Sequence, residues 1–227
     1  MYDAAPEGDC IPGLEFAGVI EAVGDRKGKP WAKVERTPDG LGYQVVERED
    51  REGTTERGLR VGDRVMGFTR FGAYATHINI GSSFVRPIPQ GWSYSQGAAF
   101  LVQALTAWYG MFELGKATEG KRVLVHSAAG GVGLFTLQIC QMFKLVPIAI
   151  VGSSSKADLL IEQFGLNPKN IIVRARSQRK FGKSLDAALE YVKSKGFDII
   201  MDSVAGKYFR PGYERLARGG RHVLFGA

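Results

Sequence analysis

The chain has 227 residues, 44% of them apolar and 23% charged, a composition that excludes disordered and fibrous classes and a length that allows one large or two modest domains. Two cysteines, Cys10 and Cys140, exclude a disulfide framework and a four-cysteine zinc lobe, and no apolar run approaches the roughly 20 residues that span a bilayer. A soluble chain in a reducing compartment, the cytoplasm or an organelle matrix, is expected, and its net charge of +7 favours an anionic ligand or surface only weakly.

Residues 1–11 read as irregular. The small and β-branched residues of 13–24 suit a strand of a compact β-domain. From 25 to 59 the chain turns charged and glycine-rich. Inside this stretch 32–36 and 43–47 alternate apolar with polar residues around Thr37-Pro-Asp-Gly40, which predicts an inserted hairpin. Strand character returns over 60–67 and 72–80, and Pro87 and Pro89 then punctuate the chain. Residues 96–114 have helical length and periodicity, and the domain boundary is expected near their start, giving domains of 1–96 and 97–227.

The stretch that organises the rest is Arg122-Val-Leu-Val-His-Ser-Ala-Ala-Gly-Gly-Val-Gly-Leu-Phe-Thr-Leu-Gln-Ile-Cys140. It reads as a buried strand, a tight turn and a helix. Ala128, Gly130 and Gly133 fall at the spacing of a dinucleotide-binding turn, with Ala128 in place of the usual first glycine. Small residues are needed there because a pyrophosphate reaches backbone N–H groups at a helix N-terminus only where no Cβ intervenes. Such a pattern alone carries little weight, since packing also demands glycine. The sequel adds to it, with strands over 146–151, 170–173, 197–202 and 221–225 alternating with helices over 156–164, 184–195 and 208–217. That alternation predicts an α/β fold, a doubly wound parallel sheet of Rossmann type.

The blocks Pro12-Gly-Leu-Glu-Phe-Ala-Gly18, Val61-Gly-Asp-Arg-Val65, Gly72-Ala-Tyr-Ala75, Leu105-Thr-Ala-Trp108, Val123 to Gly133, Phe197-Asp-Ile-Ile-Met-Asp-Ser-Val204 and Gly219-Gly-Arg-His-Val-Leu-Phe-Gly226 resemble, in this order, the medium-chain dehydrogenase/reductase superfamily. The resemblance is to its zinc-free quinone oxidoreductase, or zeta-crystallin-like, branch and within it to the vesicle amine transport protein homologues. It covers nearly the whole chain apart from 25–59. It implies a partial GroES-like catalytic domain over 1–96 and an NADP-binding Rossmann domain over 97–227 that lacks its last strand, so the chain reads as a fragment or as one whose missing edge another chain supplies.

Where zinc-dependent relatives place a histidine ligand before the glutamate of their Gly-His-Glu motif, this chain has Leu14, so neither a catalytic nor a structural zinc is expected. His77, His126 and His222 read as structural residues. At the end of the second Rossmann strand an acidic residue would select NAD through a ribose hydroxyl. The chain instead offers Gly152, Ser153, Ser154, Ser155 and Lys156, whose hydroxyls and ammonium suit a 2′-phosphate and hence NADPH. The bland alternative is that Ser155 caps a helix starting at Lys156. Arg174 and Arg176 open a basic run with Arg179, Lys180 and Lys183, and one of these two, Arg174 first, is a candidate for the same phosphate, although a solvated basic face explains the run better. Nucleic acid is disfavoured, because no aromatic residues alternate with these charges.

The resemblance further implies that Ala129, Gly130, Gly131, Val132 and Gly133 hold the pyrophosphate. Thr106, Ser203, Val204, Phe225 and Gly226 match positions that meet the nicotinamide and its ribose, and Tyr2 matches a tyrosine that orients or protonates substrate. The implied activity is NADPH-dependent reduction of a quinone or conjugated enone by hydride transfer without a metal. Relatives dimerise or sit in larger assemblies, which leaves two other readings open: a non-catalytic subunit using the inserted hairpin as an interaction arm, and an enoyl reductase domain of a multidomain synthase.

Overall fold

The structure is a computed structural model that describes residues 10–24, 32–36, 43–48 and 58–226. The chain divides into two compact units that meet in sequence between Val102 and Gln103.

In the first unit β1 (Glu15–Val19) pairs antiparallel with β4 (Arg64–Phe68), which pairs antiparallel with β5 (Val85–Pro87). Leu59, Val65 and Val85 pack with Phe16 beneath this sheet, and Gly67 lets the Phe16 ring lie directly on its backbone. The short α1 (Tyr94–Ala98) begins with a reciprocal cap between Ser93 and Gln96. Glu15 accepts a hydrogen bond from the Val102 N–H at 3.1 Å, a local structural duty. The predicted hairpin is present as β2 (Ala32–Arg36) paired antiparallel with β3 (Tyr43–Arg48), while Thr37 to Gly40 lie outside the described residues.

The second unit is built on five parallel strands: β6 (Arg122–Val125), β7 (Val146–Val151), β8 (Ile171–Val173), β9 (Phe197–Asp202) and β10 (Leu216–Leu224), in the order β10-β9-β6-β7-β8. Val123 and Val125 of β6 enter one core, with Leu137 and Cys140 of α3 (Gly131–Met142) and Leu160 of α4 (Ser154–Phe164). Leu124, one residue between them, enters the other core, with Phe181, Leu185 and Leu189 of α5 (Gln178–Tyr191). Both faces are covered, which is why these strands read as continuous apolar runs. Ile150 of β7 is fully buried in the second core. Ile150→Val should cost about 1 kcal/mol in a denaturant titration, the usual effect of deleting one buried methyl group.

Several elements differ from the sequence expectation. Residues 72–80 form no strand; the amides of Gly72, Ala73 and Tyr74 bond to the carbonyls of Ile11, Gly13 and Pro12 outside any ladder. The stretch 96–114 is not one helix but α1, α2 (Leu101–Trp108) and a π-helical turn over Tyr109–Leu114. A Cβ on Gly110 would meet the Met201 methyl at 2.5 Å, so the widened turn sits where helix and sheet approach too closely for a side chain. Helix α5 starts earlier than expected because Ser177 caps it, and it stops at Tyr191. Helix α6 (Phe209–Tyr213) is short: Glu214 and Arg215 form a turn, and Leu216 and Ala217, expected to prolong the helix, already belong to β10, whose register shifts between Leu216 and Arg221. Gly196 and Gly220 permit this, since a Cβ on either would fall within 3 Å of neighbouring backbone.

Candidate dinucleotide site

In this strand order β6 has β7 on one side and β9 on the other, so the chain leaves β6 and β9 in opposite directions and opens a crevice at their carboxyl ends. The turn after β6 is held from both sides. The His126 N–H donates to the Met201 carbonyl at 2.9 Å and the Ala128 N–H to the Ile150 carbonyl at 2.9 Å. Ser127 takes φ +49°, and the Gly130 N–H closes the turn on the Ser127 carbonyl at 2.8 Å. Gly130 is then the N-cap of α3, and no acidic residue in the first turn offsets the positive end of the helix dipole.

The glycines of this turn have separate duties. A Cβ on Gly133 would collide with the Ser127 carbonyl and lie 2.7 Å from the Ala128 backbone, so this glycine lets helix and turn touch. A Cβ on Gly131 would overlap the Gln103 carboxamide. Ala129, Gly130, Gly131, Val132 and Gly133 therefore sit in one cradle, with Gln103 as a neighbour that the sequence pattern did not single out. A lone polar residue at the start of an apolar helix was the only available signal.

After β7 the chain runs through Gly152 into α4, whose N-cap is Ser153 and whose first residue is Ser154. This corrects the capping alternative: the helix does not start at Lys156, and Ser155 lies inside its first turn, its hydroxyl 2.9 Å from that of Ser153. Ser153 makes no side-chain cap, Ser154 and Lys156 are exposed, and the first turn holds no acidic residue. The Arg174 guanidinium reaches this end of the sheet, with Nη2 4.0 Å from where a Gly152 Cβ would be, and it lies 4.9 Å over the Tyr208 ring. Arg174 thus parts company with Arg176, Arg179, Lys180 and Lys183, which are exposed. Tyr208 was missed because 208–217 read as a helix.

On the other side of the crevice Ser203 and Val204 follow β9, and Phe225 and Gly226 follow β10. The Phe225 N–H donates to the Asp202 carbonyl at 3.1 Å, which brings the two chain segments together. Thr106 and Phe225 share a cavity of about 430 Å³ with Trp108, Tyr109, Leu114 and Val223, beside the π-helical turn. Tyr2 lies outside the described residues. The sequence reading also missed a polar cluster in which buried Asp202 and His126 meet His222, whose side chain is 6% exposed. A carboxylate ending the apolar run of β9 was its visible signal.

His222 donates from Nε2 to Asp202 at 3.0 Å, and His77 bonds to Thr76 and Glu21, as structural histidines do. His126 is buried with neither ring nitrogen hydrogen-bonded among the described residues, and burial pulls its pKa from 6.5 down to about 4. Among the described residues no group of three or more histidine, cysteine, aspartate or glutamate side chains could hold a metal ion. Nor, among them, is any helix long and apolar enough to cross a membrane.

Comparison with known proteins bears on this geometry. The family described as zinc-binding dehydrogenase matches residues 131–227. A component of the phenolphthiocerol/phthiocerol polyketide synthase of Mycobacterium tuberculosis is 30% identical over 227 residues, covering 97% of this chain and 10% of that protein. The human synaptic vesicle membrane protein VAT-1 homolog is 29% identical, covering 100% of this chain and 48% of that protein. The chain therefore spans less than half the length of either relative. Among solved structures, mycobacterial Rv1454c complexed with NADPH is 26% identical with a TM-score of 0.69, covering 99% of this chain and 69% of that one. A five-stranded parallel sheet of this order is common to many unrelated proteins, but sequence similarity running the length of both units is not, and it shows that the chain belongs to the medium-chain dehydrogenase/reductase superfamily.

Proposed function

We propose that this chain binds NADPH and serves a zinc-free oxidoreductase that reduces a quinone or a conjugated enone. The observation that carries the reading is the end of β7, where Gly152 leads into Ser153, Ser154 and Lys156 at the start of α4, no acidic residue stands in that first turn to repel a 2′-phosphate, and the Arg174 guanidinium lies 4.0 Å from where a Gly152 Cβ would be. Gly130, exposed at the N-cap of α3, offers its backbone to a pyrophosphate at that helix N-terminus, and Gly133 lets the helix approach the turn closely enough to present it. Support also comes from the similar mycobacterial structure, which is a complex with NADPH.

In this reading Ser153, Ser154, Lys156 and Arg174 receive the 2′-phosphate, and the glycine cradle receives the pyrophosphate. Thr106, Ser203, Val204, Phe225 and Gly226 border the nicotinamide end. The bound cofactor supplies a hydride from its nicotinamide ring, and the protein supplies position and exclusion of water. The acceptor's proton comes from Tyr2 or from solvent. A second reading, an enoyl reductase domain within a larger synthase, is favoured by the similarity to a polyketide synthase. Turnover of a thioester-linked enoyl acceptor in preference to free enones and quinones would select it.

Lys156→Glu tests the cofactor side. It should weaken NADPH binding about tenfold, the scale of one lost charge-assisted contact plus repulsion, and leave NADH within about twofold in a fluorescence titration. Equal loss for both nucleotides would contradict the assignment of Lys156.

A further inference from the structure

Asp202 is the last residue of β9 and is fully buried, a costly place for a carboxylate. Its Oδ1 accepts hydrogen bonds from the Val204 N–H at 2.8 Å and the Ala205 N–H at 2.9 Å. Its Oδ2 accepts from His222 Nε2 at 3.0 Å. His126 Nδ1 lies 3.5 Å from Oδ1, near enough to feel the charge. Burial alone would push the Asp202 carboxyl up; the His222 hydrogen bond, His126 and the two backbone donors outweigh it and hold the group well below the usual carboxylate range. The His222 ring is fixed in turn by stacking on Phe209, with centroids 4.4 Å apart and planes at 19°.

This clamp acts on a short segment. Ala205 takes φ +51° and ψ −141°, a conformation that L-residues rarely adopt and that persists only when its surroundings impose it. The two amides bound by Oδ1 lead directly into that strain, because they belong to Ala205 itself and to the residue before it. The same segment carries Ser203 and Val204 into the crevice.

We propose that Asp202 is a positioning residue that presets the Ser203 to Ala205 wall of the crevice for the nicotinamide-ribose half of the dinucleotide. The inference rests on the NADPH reading. It goes beyond it by separating the two ends of the site: the wall shaped by Asp202 is at β9, whereas the 2′-phosphate residues are at β7 and β8. Loss of the carboxylate frees the Val204 and Ala205 amides and lets the wall relax. Ordering it again on binding then lowers affinity for ligands that touch it, and only for those.

The test compares NADPH with adenosine 2′,5′-bisphosphate, a fragment that ends before the nicotinamide, together with amide hydrogen exchange at Val204 and Ala205. In Asp202→Ala the exchange protection should be lost, NADPH affinity should fall about tenfold and the fragment should bind within about twofold of the parent. Asp202→Asn keeps the shape and one acceptor oxygen and covers the event that the alanine variant does not fold. It should show the same pattern at about threefold, because a neutral acceptor holds the amides less strongly. Unchanged exchange and unchanged NADPH affinity in the folded variants would overturn the proposal, as would equal losses for NADPH and the fragment. Failure of the unaltered chain to bind NADPH and the fragment would instead overturn the cofactor reading, and the exchange comparison would still decide whether Asp202 holds the turn.

Discussion

Gly133→Val should abolish nucleotide binding, with at least a hundredfold loss of NADPH affinity, and should lower stability by about 2 kcal/mol, the usual cost of overpacking. The reason is local. A Cβ at this position collides with the Ser127 carbonyl and lies 2.7 Å from both Cα and C of Ala128, all of them backbone that cannot rotate away. Helix α3 must then lift from the turn or the turn must open, and either movement withdraws the amides that face the crevice. The control is Gly18→Ala in β1, where a Cβ meets nothing within 4 Å. It should bind NADPH as the parent does. A titration in which Gly133→Val kept NADPH affinity within tenfold would mean that nucleotide binding does not depend on this turn.

The second large effect is acid destabilisation through His126. Its imidazole is neutral when folded because burial lowers the pKa from 6.5 to about 4, while the unfolded chain takes up a proton near 6.5. Between these values the unfolded state binds more protons, so stability rises with pH across the window and is lost as pH falls from about 6.5 toward 4. The shift corresponds to about 3 kcal/mol when the window has been crossed. Asp202, held low, adds a loss of the same sign but at lower pH; His222 and Arg174 are the other ionisable groups that bear on the His126 ring. His126→Leu should flatten the denaturation midpoint between pH 6.5 and 4.5 relative to the parent. An equally steep slope in that variant would place the acid sensitivity elsewhere.

How much could be read from the sequence followed the physics of each segment. The β6, turn and α3 unit was legible because a strand buried on both faces is continuously apolar and a tight turn leaves glycines at fixed spacing. The α/β class followed from the alternation after it. The break-up of 96–114 was not legible, because α1, α2 and the π-helical turn share one apolar periodicity and differ only where Gly110 meets Met201. The start of β10 was hidden for a similar reason: Leu216 and Ala217 prolong a helical pattern, and only the close approach of Gly196 and Gly220 to neighbouring backbone draws them into the sheet.

At the candidate site the stretch 152–156 was legible as chemistry but not as geometry, since three consecutive serines leave the cap ambiguous until Ser153 takes it. The partners of Arg174 and Asp202 were invisible for a different reason. Tyr208, His126 and His222 come from separate parts of the chain, and only the strand order brings them beside Arg174 and Asp202. A buried carboxylate is visible in sequence as an acid at the end of an apolar strand, but what it holds is not.

Discrimination between the two nicotinamide dinucleotides is the property on which the proposed function most directly depends. A fluorescence titration of the 227-residue chain with NADPH and with NADH should show NADPH binding at least about tenfold tighter, with the preference reduced in Lys156→Glu. A folded chain that binds neither nucleotide, or that binds NADH as tightly as NADPH, would contradict it.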